Sequence, residues 1–421
     1  MRLRVLGAKG MATAAAVLTD TISVAGALEL VVSAVRPVEA ETVDLGAALG
    51  RVTAAAVNAL INSPRFDVSA MDGYAVSSAD VAVPGTVLQL SGESRAGGPA
   101  TIALEPMTCM RIFTGAPIPR GADAVVVQED VDTETSHVRF SLATTKGLHI
   151  RKRGLNFAMD ATVIPPGRRL AARDIGLIAA AGHPSVSVTR RPRVAILSTG
   201  DELARNDEIA AAEKIYDGNR PALMAAVIAW GGVPQDLGIA GDDDTTIRAA
   251  LVDVDADMLV LNGGVSVGDY DRVRPALRAM GFSIDFWKVN MRPGKPLMFG
   301  SLHGIPVLGL PGNPVSALVS ALLFLRPAIA AMLGSAATGW DYENARLTRP
   351  LGPTGRRDDY LRASLSQSEH GLVVEAFEEQ DSSMLSILSA ANALLVRPAS
   401  SPGARAGEMV KVLRFDVLSG F

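Results

Sequence analysis

The sequence predicts a multidomain protein of the α/β plus β class. One doubly wound, mostly parallel α/β region stands between segments that read as β structure. Three observations carry this. The chain has 421 residues, and single hydrophobic cores rarely grow past about 250–300 residues. Between about 190 and 333, short apolar runs alternate with segments of helical periodicity, the pattern of a parallel sheet covered on both faces. Over 66–148 and beyond about 338, the chain reads as short β-type runs broken by Gly and Pro.

The elements follow in chain order. Arg2, Arg4 and Lys9 precede an alanine-rich stretch that Asp20 interrupts. The apolar run is too short for a secretory signal, and Met11 is an alternative start. Residues 20–65 read as helix, then as extended chain around 39–43. AVVVQ at 124–128 is a strand of the Gly/Pro-rich region, and DIGLIAAA at 174–181 returns to helix. RVAILS at 193–198 is a strand. Asn219 caps a helix over 221–230 that Gly231 and Gly232 stop. A strand at 234–239 follows. The acids at 242–244 open a helix over 245–252, where the dipole favours them. A strand at 258–261, a helix over 271–280 closed by Gly281, and strands at 284–289, 296–301 and 306–310 complete the alternation.

Asn313 then reads as an N-cap and Pro314 as a first helical residue. Val315, Leu318, Val319, Leu322 and Leu323 fall on one helical face. The stretch 315–333 holds Arg326 and Pro327 and reads as a buried amphipathic helix, not a membrane span. Strands at 372–375, 393–396 and 409–413 make the carboxyl-terminal part a small β domain.

Composition narrows the function. The net charge of −4 lacks the basic footprint of a general nucleic-acid binder. A single cysteine, Cys109, permits no internal disulfide framework and fits a reducing cytoplasm. Five histidines without an HExxH pair give no support to a His-based zinc site.

Three loops follow apolar strands: STGDE at 198–202, NGGVSVGDYD at 262–271 and PGNP at 311–314. In an open α/β sheet, ligands bind beyond the carboxyl ends of the strands. Glycine lets backbone N–H groups approach a ligand, and the last two loops open helices whose amino ends favour anions. One such loop is ordinary turn chemistry; three on one edge suggest a site. Asp201, Glu202, Asp242, Asp243, Asp269 and Asp271 lie in or near these loops. Asp243, with Asp244, reads as a helix cap, and the others suit a hard cation such as Mg2+. Lys288, Arg292 and Lys295 suit phosphate or oxyanion groups, or form a solvated basic edge.

Earlier, PRFDVSAMDGYAV (64–76) crowds Asp67, Ser69, Asp72 and Tyr74 among apolar residues, and RIFTGAPIPRGADAVVVQE (111–129) presents Thr114 from a stiff loop. Residue chemistry alone assigns neither stretch to a reaction, and no His is placed to activate a serine.

With STGDEL (198–203), IYDGN (215–219), FWKVNMRPGKPLMFG (286–300) and GLPGNPVSA (309–317), these stretches occur in one order. In that order the sequence resembles the MoeA/gephyrin family, the molybdopterin molybdenumtransferases. The motifs cover most of 35–330; the carboxyl-terminal part matches mainly in length and character. The resemblance implies an elongated protomer of four domains: a mixed domain from 20–65 and 149–190, a small β domain inserted at 66–148, a MogA-like α/β domain at 191–335 and a β-barrel-like domain at 338–421. It implies a cytoplasmic homodimer that converts adenylated molybdopterin and molybdate to molybdenum cofactor and AMP, with Mg2+.

Ligand contacts are implied at Gly263, Gly264, Ser266, Lys288, Arg292, Lys295, Pro311, Gly312, Asn313 and Pro314. Catalytic positions are implied at Asp72, Thr114, Glu202, Asp242 and Asp271, with Glu202, Asp242 and Asp271 holding the metal. Asp72 and Thr114 are expected from the second subunit. Transient contact with the adenylyltransferase and with cofactor-accepting enzymes is expected; nucleic acid and membrane are not. The sequence departs from the pattern at Asn156, where an acid is common, at Asn262, where Ser is usual, and at Arg292, where Lys is also common. An adenylyltransferase-like enzyme and an inactive or scaffold paralogue are the rival readings. The regions outside the α/β part argue against the former, and the absence of a long linker against a scaffold.

Overall fold

The computed structural model describes residues 21–99, 102–205, 207, 209, 211–264 and 273–415. Ser266, Asp269, Asp271 and the chain before residue 21 lie outside the described residues.

The α/β region is a six-stranded sheet. Its elements are β1 (Arg193–Thr199), α1 (Asn219–Trp230), β2 (Val233–Ala240), α2 (Asp244–Leu251), β3 (Met258–Asn262), α3 (Val273–Ala279), β4 (Ser283–Lys288), β5 (Pro296–Leu302) and β6 (Ile305–Leu310). Strand order is β2-β1-β3-β6-β5-β4. β2, β1, β3 and β6 are mutually parallel; β5 is antiparallel to β6, and β4 antiparallel to β5. The reversal at β5–β6 comes from a two-residue connection: Leu302 pairs with Ile305, and His303 and Gly304 both have positive φ, as a primed hairpin turn requires. Two reversals return β4 to the direction of β6. Lys288 therefore ends on the same edge as Asn262 and Leu310, and the Lys295–Pro296 step starts there.

The sheet is buried on both faces, so its central strands read as continuous apolar runs. Val194, Ile196, Val260 and Leu308 pack with Leu223 and Val227 of α1. Ala195, Leu197, Leu259, Leu261 and Val307 face Ile247 and Leu251 of α2 and Leu277 of α3. After β6, a helix runs over Pro314–Met332, long and apolar enough by length alone to cross a membrane, but 78% buried within the molecule. It packs on the sheet and on the helix Val24–Ala34. A π-helical stretch at Ala321–Leu325 precedes Pro327. Proline has no N–H for the carbonyl four residues earlier; the Trp340 indole donates to that Leu323 oxygen instead, at 3.0 Å.

Two sequence expectations shift here. Asn219 is the first residue of α1, behind Gly218, and does not act as its cap. Asn313 occupies the N-cap position of its helix, but its side chain makes no capping bond. In both cases the amide is drawn to a neighbouring loop.

In the amino-terminal part, Ala40–Asp44 pairs with Ser185–Thr189, and Val57–Asn58 with Thr162–Ile164, around the helix Ala172–Ala180. Between them the chain builds a separate six-stranded sheet in the order Ala124–Val127, Gly73–Val76, Thr108–Ile112, Val87–Ser94, His137–Phe140, Val131–Glu134. Its cores centre on Tyr74, Phe140 and Cys109, and on Ala75, Ile112 and Val125. At the carboxyl end five strands close on themselves: Asp358–Ser368, Gly371–Ala376, Glu343–Leu347, Met409–Arg414 and Ala393–Arg397, with the last pairing back to the first. The sequence showed three of these five strands; Glu343–Leu347 and the long Asp358–Ser368 were missed.

Candidate functional site

The three glycine-bearing loops meet at the carboxyl edge of the sheet. At the end of β3, Gly263 and Gly264 have φ of 95° and 62°. A Cβ on Gly263 would lie 2.5 Å from the Thr199 carbonyl oxygen, and one on Gly264 only 2.1 Å from Val273 Cγ2. The double glycine is thus demanded twice, by conformation and by space. The Gly263 N–H donates to Leu310 O at 3.1 Å, tying this loop to the end of β6.

A buried amide network joins the loops from below. Asn219 Nδ2 donates to Asn262 Oδ1 at 3.1 Å and to the Gly312 carbonyl at 2.7 Å. Asn262 Nδ2 reaches Ser198 Oγ at 3.4 Å. Asn262, expected to stand in for Ser by hydrogen bonding, does so here. The ends of β1 and β2 are clasped reciprocally: Asp242 N–H donates to Asp201 Oδ1 at 3.0 Å, and Asp201 N–H to Asp242 Oδ2 at 3.3 Å. The Glu202 carboxylate folds over Gly200, whose absent Cβ would sit 2.6 Å from its Oε2. Asp243 caps α2 through Thr245 and Thr246, as expected; the Thr246 N–H foremost holds its carboxyl below the usual range.

Asp201, Glu202 and Asp242 therefore gather hard oxygen donors at one edge, of the type Mg2+ prefers. Among the described residues no group of three or more His, Cys, Asp or Glu is arranged to hold a metal. The third expected ligand, Asp271, lies outside them.

Of the basic residues, Lys288 sits at the end of β4 with its ammonium 4.5 Å from the Trp287 ring centroid. Lys295 is exposed on the same edge, next to Pro296, which pairs with Lys288. Arg292 uses one guanidinium nitrogen on Asp359, at 2.7 Å; Asp359 is buried on the barrel, while the Arg292 side chain is 60% exposed. The expected free clamp is thus partly committed to holding the barrel against the α/β region.

The barrel also reaches the fourth motif. Asn313 Nδ2 donates to Ser382 Oγ at 2.9 Å, and the Val315 N–H to the Ser382 carbonyl at 3.1 Å, satisfying a first-turn donor of the helix. Behind Ser382, the buried Arg362 donates to Asp381 O at 3.0 Å. Sequence reading missed this segment, because a serine in a polar stretch has no periodicity to mark it. It missed Asp217 too, which is 1% exposed and ion-paired with Arg220 at 3.1 Å. An acid two residues ahead of a helix start was the available signal.

Asp72 and Thr114 come together on the separate β sheet, 42 residues apart in sequence. Thr114 donates to Asp72 Oδ1 through its N–H at 2.7 Å and its hydroxyl at 2.8 Å. The backbone donor first, then the hydroxyl, holds the carboxyl below its ordinary value of 3.8. The pair is exposed, and the sheet's two cores contain no residue of the α/β region.

Comparison with known proteins places this geometry in a family. Residues 22–182 match the MoeA N-terminal region (domain I and II), 195–331 a probable molybdopterin binding domain, and 344–415 the MoeA C-terminal region (domain IV). A molybdopterin molybdenumtransferase of Nostoc sp. is 39% identical over 395 residues, covering 90% of this chain and 89% of its own. Molybdopterin molybdenumtransferase 2 of Mycobacterium tuberculosis is 36% identical, over 90% and 95%. A crystal structure of the molybdopterin biosynthesis MoeA protein from Pyrococcus horikoshii superposes with a TM-score of 0.81 at 27% identity, covering 94% of this chain and 100% of that one. With three successive family regions matched along one chain and relatives aligned over nearly all of it, the protein belongs to the MoeA family.

Proposed function

We propose that the protein is a Mg2+-dependent molybdopterin molybdenumtransferase, which takes molybdate and adenylated molybdopterin and yields molybdenum cofactor and AMP. One observation carries the reading. The loops at 198–202, 262–264 and 311–314 are locked together at a sheet edge that also presents Lys288, Lys295 and the Asp201–Asp242 clasp. Cationic groups and N–H donors beside hard carboxylates suit a phosphorylated ligand handled with a divalent cation. The two relatives named molybdopterin molybdenumtransferase are matched over 89% and 95% of their length. Because the family match extends on both sides of the α/β region, adenylyl transfer is the weaker reading.

In this mechanism Gly263, Gly264, Pro311, Gly312, Asn313 and Pro314 shape the phosphate-facing wall, and Ser266 is a further expected ligand contact. Lys288, Arg292 and Lys295 offset the charge of phosphate and molybdate. Glu202, Asp242 and Asp271 would hold magnesium, which would supply charge compensation at the phosphoanhydride. Asp72 and Thr114 complete the cleft from the second subunit of a homodimer. The cytoplasm is the expected compartment. The adenylyltransferase and cofactor-accepting enzymes are expected as transient partners.

AMP release from adenylated molybdopterin, followed with and without molybdate in the presence of Mg2+, tests the assignment. Molybdate is expected to stimulate release; release that ignores molybdate overturns insertion. Glu202→Gln is expected to abolish the stimulated release, and full activity in that variant removes Glu202 from the metal.

A further inference from the structure

We propose that Asn219 is a positioning residue for the ligand edge, setting the spacing of the double-glycine and PGNP loops although it belongs to neither. The inference rests on the proposed function, because it concerns the ligand that this edge receives.

The geometry singles out this one side chain. Asn219 starts α1 and is 6% exposed. Its Nδ2 makes two donations that run to different loops, Asn262 Oδ1 after β3 and Gly312 O after β6. The Gly312 carbonyl can only accept, so the orientation of the amide is fixed by its partner. Through Asn262 the link continues to Ser198 at the end of β1. Two amides in series, Asn219 and Asn262, thus bridge the ends of three strands.

A helix needs no such residue at this position. Asn219 does not cap α1, and its buried Oδ1 has no hydrogen-bond partner among the described residues. A buried acceptor left bare is a cost, which helix formation does not explain and loop placement does. A second orphan lies alongside: Thr199 Oγ1 is buried without a partner among the described residues, 3.1 Å from where a Gly263 Cβ and 2.9 Å from where a Gly264 Cβ would stand. The double glycine rests directly on this hydroxyl. The floor of the edge therefore has no slack, and the distance between the Gly263 and Gly312 backbones follows the clasp. A Cβ built on Gly312 would lie 3.8 Å from the Gly263 Cα, so the two loop backbones run in contact. A phosphate held by N–H groups from both loops requires that spacing to be constant.

The test uses the full-length protein. Equilibrium binding of adenylated molybdopterin without molybdate is measured for wild type, Asn219→Ala and the isosteric Asn219→Asp, which cannot donate when ionised. Amide hydrogen exchange at Gly263 and Gly312 is followed without ligand. Asn219→Ala is expected to weaken binding about tenfold, as loss of one net buried hydrogen bond implies, and to speed exchange at both glycines. Asn219→Asp is expected to weaken it at least as much. Asn219→Ala combined with Asn262→Ala is expected to bind no worse than the weaker single variant, since both break one link. A purely structural Asn219 lowers the thermal midpoint and leaves the affinity of the folded protein unchanged; that result overturns the proposal. If wild type itself does not bind the probe, the functional reading fails first. If wild type binds and both Asn219 variants bind equally well, only this inference fails.

Discussion

The carboxyl edge of the α/β sheet and the Asp72–Thr114 pair are built in opposite ways. At the edge, every loop is held by another: Gly263 by Leu310, Gly312 by Asn219, Asp201 by Asp242. Gly263 and Gly264 admit no Cβ, and the amide links beneath them are buried. Asp72 and Thr114, by contrast, form an exposed pair that is complete in two hydrogen bonds from one residue. The first site is a product of the whole fold; the second is a local device on a small sheet with its own core. Lesions at the double glycine and the buried amides of the edge should therefore cost stability and binding together, whereas lesions at the pair should cost activity alone.

Gly264→Ala breaks the comparison hardest. The new Cβ meets Val273 Cγ2 at 2.1 Å in a backbone conformation with φ of 62°. Left-handed backbone and overpacking together amount to about 3 kcal/mol, read as a lower urea midpoint, with ligand binding lost as well. Gly50→Ala is the control: φ is 73° but nothing lies within 4 Å of its Cβ, so about 1 kcal/mol is expected. Equal losses at the two glycines would show that the edge is no tighter than a surface turn.

Subunit mixing sharpens the other half. Asp72→Asn and Glu202→Gln are each expected to fold normally and to lose molybdate-stimulated AMP release. If Asp72 serves the α/β edge of the second subunit, co-refolded mixtures contain dimers with one intact cleft. Random pairing makes half the dimers mixed, each with one working site of two, so roughly a quarter of wild-type activity is recovered. Recovery at background level places both residues in a cleft of one chain.

The same contrast decides what was legible in the sequence. The α/β strands were legible because burial on both faces makes them apolar without alternation, and glycine marked their ends. RVAILS and its neighbours needed no partner to be recognised. The barrel strand Asp358–Ser368 was not legible: Arg362, a charged residue in mid-strand, is buried by contacts with Asp381 and Gln380 that lie about 20 residues downstream. Asn219 and Asn313 were read as caps because sequence shows what an asparagine can do locally; a loop brought near by the fold outcompeted the helix end. Motif resemblance named Asp72 and Thr114 as site residues, but their hydrogen bond was not legible, as no local period links residues 42 positions apart.

The smallest expected effect concerns how the pair holds its charge. The Asp72 carboxyl lies below its ordinary value of 3.8 in the folded protein, owing first to the Thr114 N–H and then to its hydroxyl. Such a group contributes stability above the unfolded value and loses it as pH falls through the lowered one. From about pH 5 to 8, where no free Asp carboxyl titrates, Asp72 should add no limb to the activity profile. Thr114→Ala removes only the second donor, since the N–H remains. The carboxyl resonance of Asp72, followed by NMR, should then titrate nearer 3.8 but not above it. Activity at neutral pH should fall less than in Asp72→Asn, because the carboxylate survives one change and not the other. A Thr114→Ala protein as inactive as Asp72→Asn would mean that the hydroxyl itself, and not the charge it steadies, acts on the substrate.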